Sequence, residues 1–446
     1  MSQPLVYVLV INWNGLEHLQ ECFESLCANT YANARFLLVD NASTDGSVEF
    51  VRREFGRDPR VEIVECGSNL GWSGGNNVGM ERALEAGADY VFLLNNDTAV
   101  APNCIEQLVT FAEARADVGG VAPKMLLFDQ PDIINSIGIE CSLVGVGWDV
   151  GLGRVDGPEW SEPRKVLGLC GGACLIRCEA LRKTGLLPAD FDIYLDDLDL
   201  SLRLWDAGYE VWFCPSATVR HKFSATMGEG ANLRRKYYRN TRNRLRLILR
   251  NFPASCVGQV IPAYLRAEVK AVGRAIFDGE LWRVWSHVRS WFAGLAYVPT
   301  AMRARRDALR RGLAIGSFWP MVRKDCLYFH GVERPVDGWY RPCEIRGQTF
   351  HPMARVATRA ADGGTLRVTH ANCYPHLGET HVNVLEGDRV IAVLRTTGVD
   401  SEELDVPSGL VTFVAEHMFY AEDTGSHEDY GGWLRFEDVQ ERDTRV

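Results

Sequence analysis

The sequence predicts an α/β domain on a mostly parallel sheet, followed by a basic helical segment and a C-terminal all-β sandwich. Three observations predict this order. Apolar β-rich runs alternate with helically spaced runs through the first half, the rhythm of βαβ units. From about Ala231 to Arg311 the chain becomes helical and basic. From about Tyr328 it changes to short alternating segments separated by turns, the pattern of antiparallel strands in a sandwich. The expected boundaries are 1–228, 229–325 and 326–446, in keeping with two or three domains for 446 residues.

Leu5–Ile11 is a short β-rich apolar run, and Leu16, Leu19, Phe23 and Leu26 carry helical spacing. Phe36–Val39 reads as the next strand and Ser47–Phe55 as a helix. Val61–Val64 is a third strand, followed by a Gly/Asn loop and a helix from about Val78 to Ala86. Tyr90–Leu94 is a fourth strand. In the basic segment, Leu233, Tyr237, Thr241, Leu245 and Ile248 keep one face mostly apolar, while arginines crowd the rest. Further on, Val382–Val384 leads through Glu386-Gly387-Asp388 to Val390–Leu394, a hairpin pattern.

Hydrophobic residues make up 46% of the chain and charged residues 24%, enough to bury large cores. The net charge of −10 argues against nucleic acid as a partner. The 13 cysteines contain no C-x-x-C pair, so reduced, buried thiols are expected. No signal peptide is visible at Leu5–Ile11. The longest apolar run, around Trp291–Met302, falls short of the roughly 20 residues of a spanning helix. A cytoplasmic protein is expected, soluble or resting on a membrane surface.

In open α/β sheets, ligands bind beyond the carboxyl ends of the strands, and polar clusters follow each of the four here. They are Asn12–Gly15, Asp40–Gly46, Asn69–Asn77 and Asn95–Thr98. Taken singly, Ser43, Asp45 or Ser73 reads as a turn or helix cap. Four clusters on one edge point to a ligand. Downstream, Asp196, Asp197 and Asp199 place three carboxylates within four residues, inside an apolar frame of Phe191, Leu198, Leu200 and Leu202. A helix N-terminus in solvent accounts for Asp196 and Asp199. The frame puts at least one acid in a crevice.

These motifs resemble the family 2 glycosyltransferases with the GT-A fold, especially their rhamnosyltransferase-like branch. The resemblance covers about Pro4 to Thr226 and includes Pro215–His221. It implies that Asn12, Asp40 and Asn69 line a nucleotide pocket, with Asp40 on the pyrimidine. Asn41, Gly71, Gly75, Asn76, Asn95, Asn96 and Asp196 fall among the implied donor-binding positions. The glycine-rich turn from Gly71 would bring backbone close to diphosphate and sugar. Asp97 and His221 are the implied ligands of a divalent cation, Mg²⁺ or Mn²⁺, although the family's first metal-motif carboxylate is Asn95 here. Asp197 matches the catalytic acid residue, and a carboxylate there suits a base that deprotonates an attacking hydroxyl.

The implied partners are a nucleotide-sugar donor and a glycan or polyprenyl-diphosphate-linked acceptor. So much like charge on the arginine helix is self-repelling unless it meets anions, either a donor diphosphate or an anionic membrane at the inner face of the plasma membrane. A nucleotidyltransferase would want basic residues in Ile11–Gly15, and a dinucleotide oxidoreductase would want G-x-G-x-x-G there. Neither is present. A sugar-binding protein with a degenerate transferase domain is the non-enzyme alternative.

Overall fold

The computed structural model describes residues 3–128, 131–152, 154–222, 231–277 and 279–324, together with strands between 339 and 438. In chain order the first part runs β1 (Val6–Asn12), α1 (Leu16–Cys27), β2 (Ala34–Asp40), α2 (Ser47–Glu54), β3 (Val61–Glu65), α3 (Gly71–Glu85) and β4 (Tyr90–Asn95). It continues with β5 (Thr98–Val100), α4 (Cys104–Glu113), β6 (Val118–Leu127), β7 (Ile133–Ser136), β8 (Ile139–Cys141), β9 (Gly147–Asp149), β10 (Arg154–Val155) and β11 (Arg164–Lys165). Then follow β12 (Ala173–Arg177), α5 (Cys178–Thr184), α6 (Asp196–Asp206), β13 (Glu210–His221) and three long helices, α7 (Ala231–Asn251), α8 (Val257–Phe277) and α9 (Leu281–Arg310).

The main sheet has the order β10-β7-β6-β12-β4-β1-β2-β3. It is parallel across β3, β2, β1 and β4, as the alternating pattern predicts. Beyond β4 it is mixed: β12 runs antiparallel to both β4 and β6, while β13 runs parallel to β6. Every residue of β1 is buried, because helices cover both faces. Val6, Val8 and Val10 join a core with Leu19, Phe23 and Leu108, while Tyr7, Leu9 and Ile11 join one with Met80, Leu181 and Leu204. Period-two alternation thus sends one strand's side chains into two cores.

Helix α3 starts at Gly71, earlier than the expected Val78, so the glycine-rich run is a first helical turn. The Asn69 side-chain oxygen accepts from the Gly71 amide at 2.9 Å, and the Asp192 carbonyl accepts from the Ser73 amide at 3.0 Å. These partners satisfy amides that every helix start leaves unpaired. They outweigh the low helix propensity of Gly71, Gly74 and Gly75.

The chain divides into two compact units, one of residues 1–223 with 238–324, the other of 224–237 with 325–446. In the second, one antiparallel sheet contains Gly364–Ala371, Val399–Val406 and Trp433–Asp438, and another contains Met353–Ala357, Thr380–Glu386, Arg389–Thr396 and Leu410–His417. The expected hairpin is present, with Val382 opposite Leu394 and Glu386 opposite Arg389. Cysteines among the described residues are free thiols, mostly buried. No helix among the described residues is long and apolar enough to cross a membrane.

The arginines of α7 meet anions and carbonyls inside their own unit. Arg239 pairs with Asp192 at 2.6 Å, Arg250 with Asp199 at 2.8 Å, and Arg242 donates to the Phe191 carbonyl at 2.8 Å. Asp199 is wholly buried and also accepts from Arg203 at 2.9 Å and Asn251 at 2.8 Å. The solvated reading of Asp196 and Asp199 is therefore corrected, since Asp196 too is only 2% exposed. Burial alone would raise the Asp199 pKa, but Arg250 and Arg203 outweigh it and hold the carboxyl at about 2.

Removing one member of a buried ion network leaves the others charged and unpaired. Asp199→Ala is expected to cost about 3–5 kcal/mol, read as a lower urea midpoint. The folded pKa lies below the unfolded value of roughly 4. The stabilisation is therefore complete above that pH and fades as pH falls toward about 2.

Candidate functional site

Strands β1, β2 and β3 step away in one direction, and β4 returns to the other side of β1. The gap between the carboxyl ends of β1 and β4 is a topological switch point, where an open sheet leaves a crevice. In register, Asn12 lies opposite Asp40 and Ile11 opposite Asn95. Across the switch point, Asn96 donates to the Asn12 side-chain oxygen at 2.6 Å. Asn12 in turn donates to Asp40 at 3.3 Å and to the Ser43 hydroxyl at 3.0 Å. A Cβ on Gly15 would fall 2.1 Å from Asn96 Nδ2, so the first polar cluster must turn away on a bare backbone.

Asn41 joins this group to α3, donating to the Gly71 carbonyl at 2.9 Å and accepting from the Leu70 amide at 3.3 Å. Gly75 packs against Ile11 and Asn41 so closely that a Cβ would lie within 2.8 Å of Asn41. Asn76 is buried, donates to the Trp72 carbonyl at 3.0 Å, and leaves its own carbonyl oxygen without a partner. Asn69 is exposed and caps α3. Asp45 serves as a cap for two helices, accepting from the Leu16 and Ser47 amides. Ser73 does not cap; its hydroxyl donates to Asp196.

The acids of α6 point three ways. Asp199 faces the arginines of α7. Asp196 lies buried beneath α3 on Ser73. Asp197 is half-buried and accepts from the Gly171 amide at 2.9 Å and the Leu198 amide at 2.7 Å. Burial pushes both Asp196 and Asp197 above the usual carboxylate range, and their mutual repulsion raises Asp196 further. The loop that delivers α6 is strained: Asp192, Tyr194 and Leu195 all have positive φ, a conformation that costs non-glycine residues roughly 1–2 kcal/mol each. Asn243 of α7 holds it, donating to the carbonyls of Phe191, Ile193 and Tyr194 at 2.9–3.0 Å.

Asp97 and His221 come together from opposite ends of the domain because β5 pairs with the end of β13, placing His221 opposite Thr98. His221 Nε2 lies 3.2 Å from Asp97 Oδ1, and Nδ1 contacts the Asn135 side-chain oxygen at 2.8 Å. With Nδ1 donating its proton to Asn135, the neutral ring turns a lone pair toward a carboxylate oxygen. Two acceptors so placed require positive charge, from a ring proton or a cation. Burial would lower the His221 pKa, but the Asp97 carboxylate outweighs it and holds the ring above its ordinary value. The pair therefore fits two ligands of a divalent cation. No cluster of three such ligands occurs among the described residues, so a bound ion would complete its coordination with ligand or water oxygens. Asn95, at the place of the missing carboxylate, has its carbonyl oxygen engaged by the Trp72 indole N–H at 3.1 Å.

Two glycines join the halves of the site. A Cβ on Gly171 would fall 2.5 Å from the Trp72 ring and 3.2 Å from Asp197 Oδ2, and one on Gly172 would fall 3.5 Å from His221 Cε1. Asp197 and the Asp97–His221 pair thus flank the same two-residue floor. Gly171, Gly172, Asn135 and Asp149 fall outside the polar clusters and motifs that the sequence marks. Asp149 is buried beside Ser136 and Cys170, and burial raises its pKa while the nearby His221 lowers it; its charge in turn raises that of Asp197. A lone acid in the apolar run 143–150 was the available signal.

Residues 7–127 match the model of glycosyl transferase family 2, and residues 90–303 match that of glycosyl transferase family group 2. The N-acetylglucosaminyl-diphospho-decaprenol L-rhamnosyltransferase of Mycobacterium tuberculosis is 29% identical over 243 residues, covering 50% of this chain and 77% of that protein. The succinoglycan biosynthesis protein ExoA of Rhizobium meliloti is 28% identical over 208 residues, 46% of this chain and 59% of that one. Among solved structures, the mannosyltransferase PcManGT of Pyrobaculum calidifontis, in complex with GDP-Man and Mn²⁺, aligns with 16% identity and a TM-score of 0.42, over 67% of this chain and 88% of that one.

Gly171→Ala is expected to lower glycosyl transfer about 100-fold, the scale of an ångström misplacement in a reacting group. The added methyl must displace Trp72 or Asp197. A thermal midpoint near that of the wild type alongside the lost turnover would separate this from unfolding.

Proposed function

Residues 7–303 of this chain belong to the family 2 glycosyltransferases, with likeness to rhamnosyltransferases, and from that premise we propose an inverting glycosyltransferase of cell-surface polysaccharide synthesis. The proposed donor is dTDP-rhamnose or a UDP-hexose, and the proposed acceptor is a hydroxyl of a glycan or polyprenyl-diphosphate-linked sugar. The observation that carries the reading is the Gly171–Gly172 floor, with a raised-pKa carboxylate on one side and the Asp97–His221 pair on the other.

In this reading Asp40, Asn12 and Asn69 bind the nucleotide base. Asn41, Gly71, Gly75 and Asn76 set the start of α3 beside the diphosphate, and Asn95 and Asn96 frame the sugar side. Asp196 acts through Ser73, fixing α3 against α6. Asp97 and His221 would hold Mg²⁺ or Mn²⁺, which when bound neutralises charge on the leaving diphosphate. Asp197 takes the proton of the acceptor hydroxyl as that oxygen attacks the anomeric carbon. The Gly171 and Leu198 amides keep its carboxylate ionised against burial, while the raised pKa makes it a stronger base. A single displacement with one base opposite the leaving group inverts the anomeric centre.

We assign catalysis to residues 1–228, support of the loop ahead of α6 to α7 of the basic helical segment 229–325, and an accessory role to 326–446. A cytoplasmic enzyme at the inner face of the plasma membrane follows from a lipid-linked acceptor.

Asp197→Asn is expected to reduce transfer by about 10²–10⁴-fold while leaving donor binding intact. The wild-type rate should fall on the acid side at a pH above the ordinary carboxylate range, where Asp197 takes up its proton. Thermal shift with UDP-, dTDP- and GDP-sugars, with and without Mn²⁺, should show a metal-dependent rise for one pyrimidine donor that disappears in Asp97→Ala. If no nucleotide-sugar shifts the wild type, the reading fails.

A further inference from the structure

We infer that the outward face of the α8–α9 hairpin is a docking surface for an anionic lipid bilayer, on which the hairpin lies flat. On α8, Val257, Ile261, Leu265 and Val269 recur every fourth residue and are 47%, 51%, 58% and 72% exposed. That spacing sets them in a row that winds slowly around the helix, and Phe277 at the end of α8 is 84% exposed. On α9, Leu281, Trp285, Phe292 and Leu295 are each more than 60% exposed. Soluble monomers rarely leave contiguous apolar ground of this extent in water.

The rotation of both helices is fixed from within, so this face cannot turn inward. Glu268 of α8 is buried and accepts from Arg244 of α7, from His287 Nδ1 of α9 at 2.8 Å and from the Trp291 indole at 2.5 Å. A Cβ on Gly294 of α9 would fall 2.1 Å from Leu245 of α7, which seats α9 directly on α7. The polar cluster costs free energy if any member leaves it. On α9, His287 and Gly294 lie on the side opposite Leu281, Trp285, Phe292 and Leu295, and on α8 the buried Glu268 stands beside the apolar row and fixes how far the helix can turn.

Charge selects the occupant. Residues 257–324 carry 12 Lys and Arg against 4 Asp and Glu, a net of +8 in a chain of net −10. Around the apolar rows, Arg266, Lys270, Arg289, Arg303 and Arg306 are exposed. A second copy on this face would bring two such basic segments together. A bilayer with anionic headgroups offers acyl chains to the apolar rows and negative charge to their rim. Trp285 and Trp291 suit the boundary between the two. As neither helix can span a bilayer, the geometry is a surface one. The inference deepens the proposed lipid-linked acceptor by giving the enzyme a face toward the leaflet that holds it.

The test is flotation of the full chain with phosphatidylcholine vesicles, with and without phosphatidylglycerol. The wild type is expected to float with anionic vesicles and to be released by salt. Phe292→Ser combined with Leu295→Ser should remove most of the floating fraction. Arg303→Gln should weaken it about fivefold, the scale of one basic residue at a charged surface. Both variants should keep the wild-type thermal shift with nucleotide-sugar. Wild type that stays with the bulk solution overturns the inference, whether the chain's own C-terminal unit or a second copy covers the face. Sedimentation velocity identifies the second copy, by a dimer that the double variant converts to monomer. Undiminished flotation of the double variant also overturns it. Nucleotide-sugar binding without flotation sinks the surface alone, and flotation without nucleotide-sugar binding sinks the transferase reading alone.

Discussion

The site depends on a buried contact between α7 and the loop ahead of α6. Asn243 holds three carbonyls of a loop in which three residues sit at positive φ, and one turn later Asp199 is locked between Arg203, Arg250 and Asn251. Strained backbone persists only where its surroundings over-determine it, and here Asn243, Arg250 and Asn251 come from α7 and Arg203 from α6 itself. With the loop fixed, the first turn of α6 has a single orientation. Asp196 is then delivered to α3, Asp197 to the glycine floor and Asp199 back to α7. Three consecutive roles follow from a helical step of about 100° per residue, applied to acids at positions one, two and four.

The same contact explains the chemistry of the arginine-rich helix. Like charges crowded on one helix need anions, and α7 finds several within its own unit: Asp192, Asp199 and Glu268, with backbone carbonyls at Phe191. Binding to carbonyls and buried carboxylates gives the arginines fixed geometry, which a screened surface charge would lack. The electrostatic surplus of the segment is then left to α8, α9 and the residues just beyond them.

Strand and helix alternation in the first half was legible because β1, β2 and β4 are buried on both faces and α1 and α2 each have one apolar stripe. The positions of Asp97, Asp197 and His221 were legible only through motif order, since nothing in local spacing brings residues 97 and 221 together. That proximity comes from the pairing of β5 with β13, a long-range event. The start of α3 was misplaced because glycines have poor helix propensity and the partners of its first amides, Asn69 and Asp192, include one far along the chain. Gly171 and Gly172 were hidden among apolar neighbours. Their importance lies in what a side chain there would strike, a property of the folded surroundings rather than of the glycines. Asp196 and Asp199 looked like solvated helix-start acids because their partners, Ser73 and Arg250, lie 123 and 51 residues away.

The clamp from α7 also bears on modularity. The sequence motifs end at His221, the last residue of β13, and a reader of domains would cut there. A chain cut at that point would keep every residue assigned to donor and metal, yet lose Asn243, Arg250 and Asn251. Asp199 would retain one guanidinium partner of two, and the strained loop would be free to relax, taking Asp197 with it. The smallest portable form of the proposed site therefore extends through the three long helices to about residue 324, and grafting the motif-bearing part alone onto another protein would transplant those residues without the orientation that brings them together.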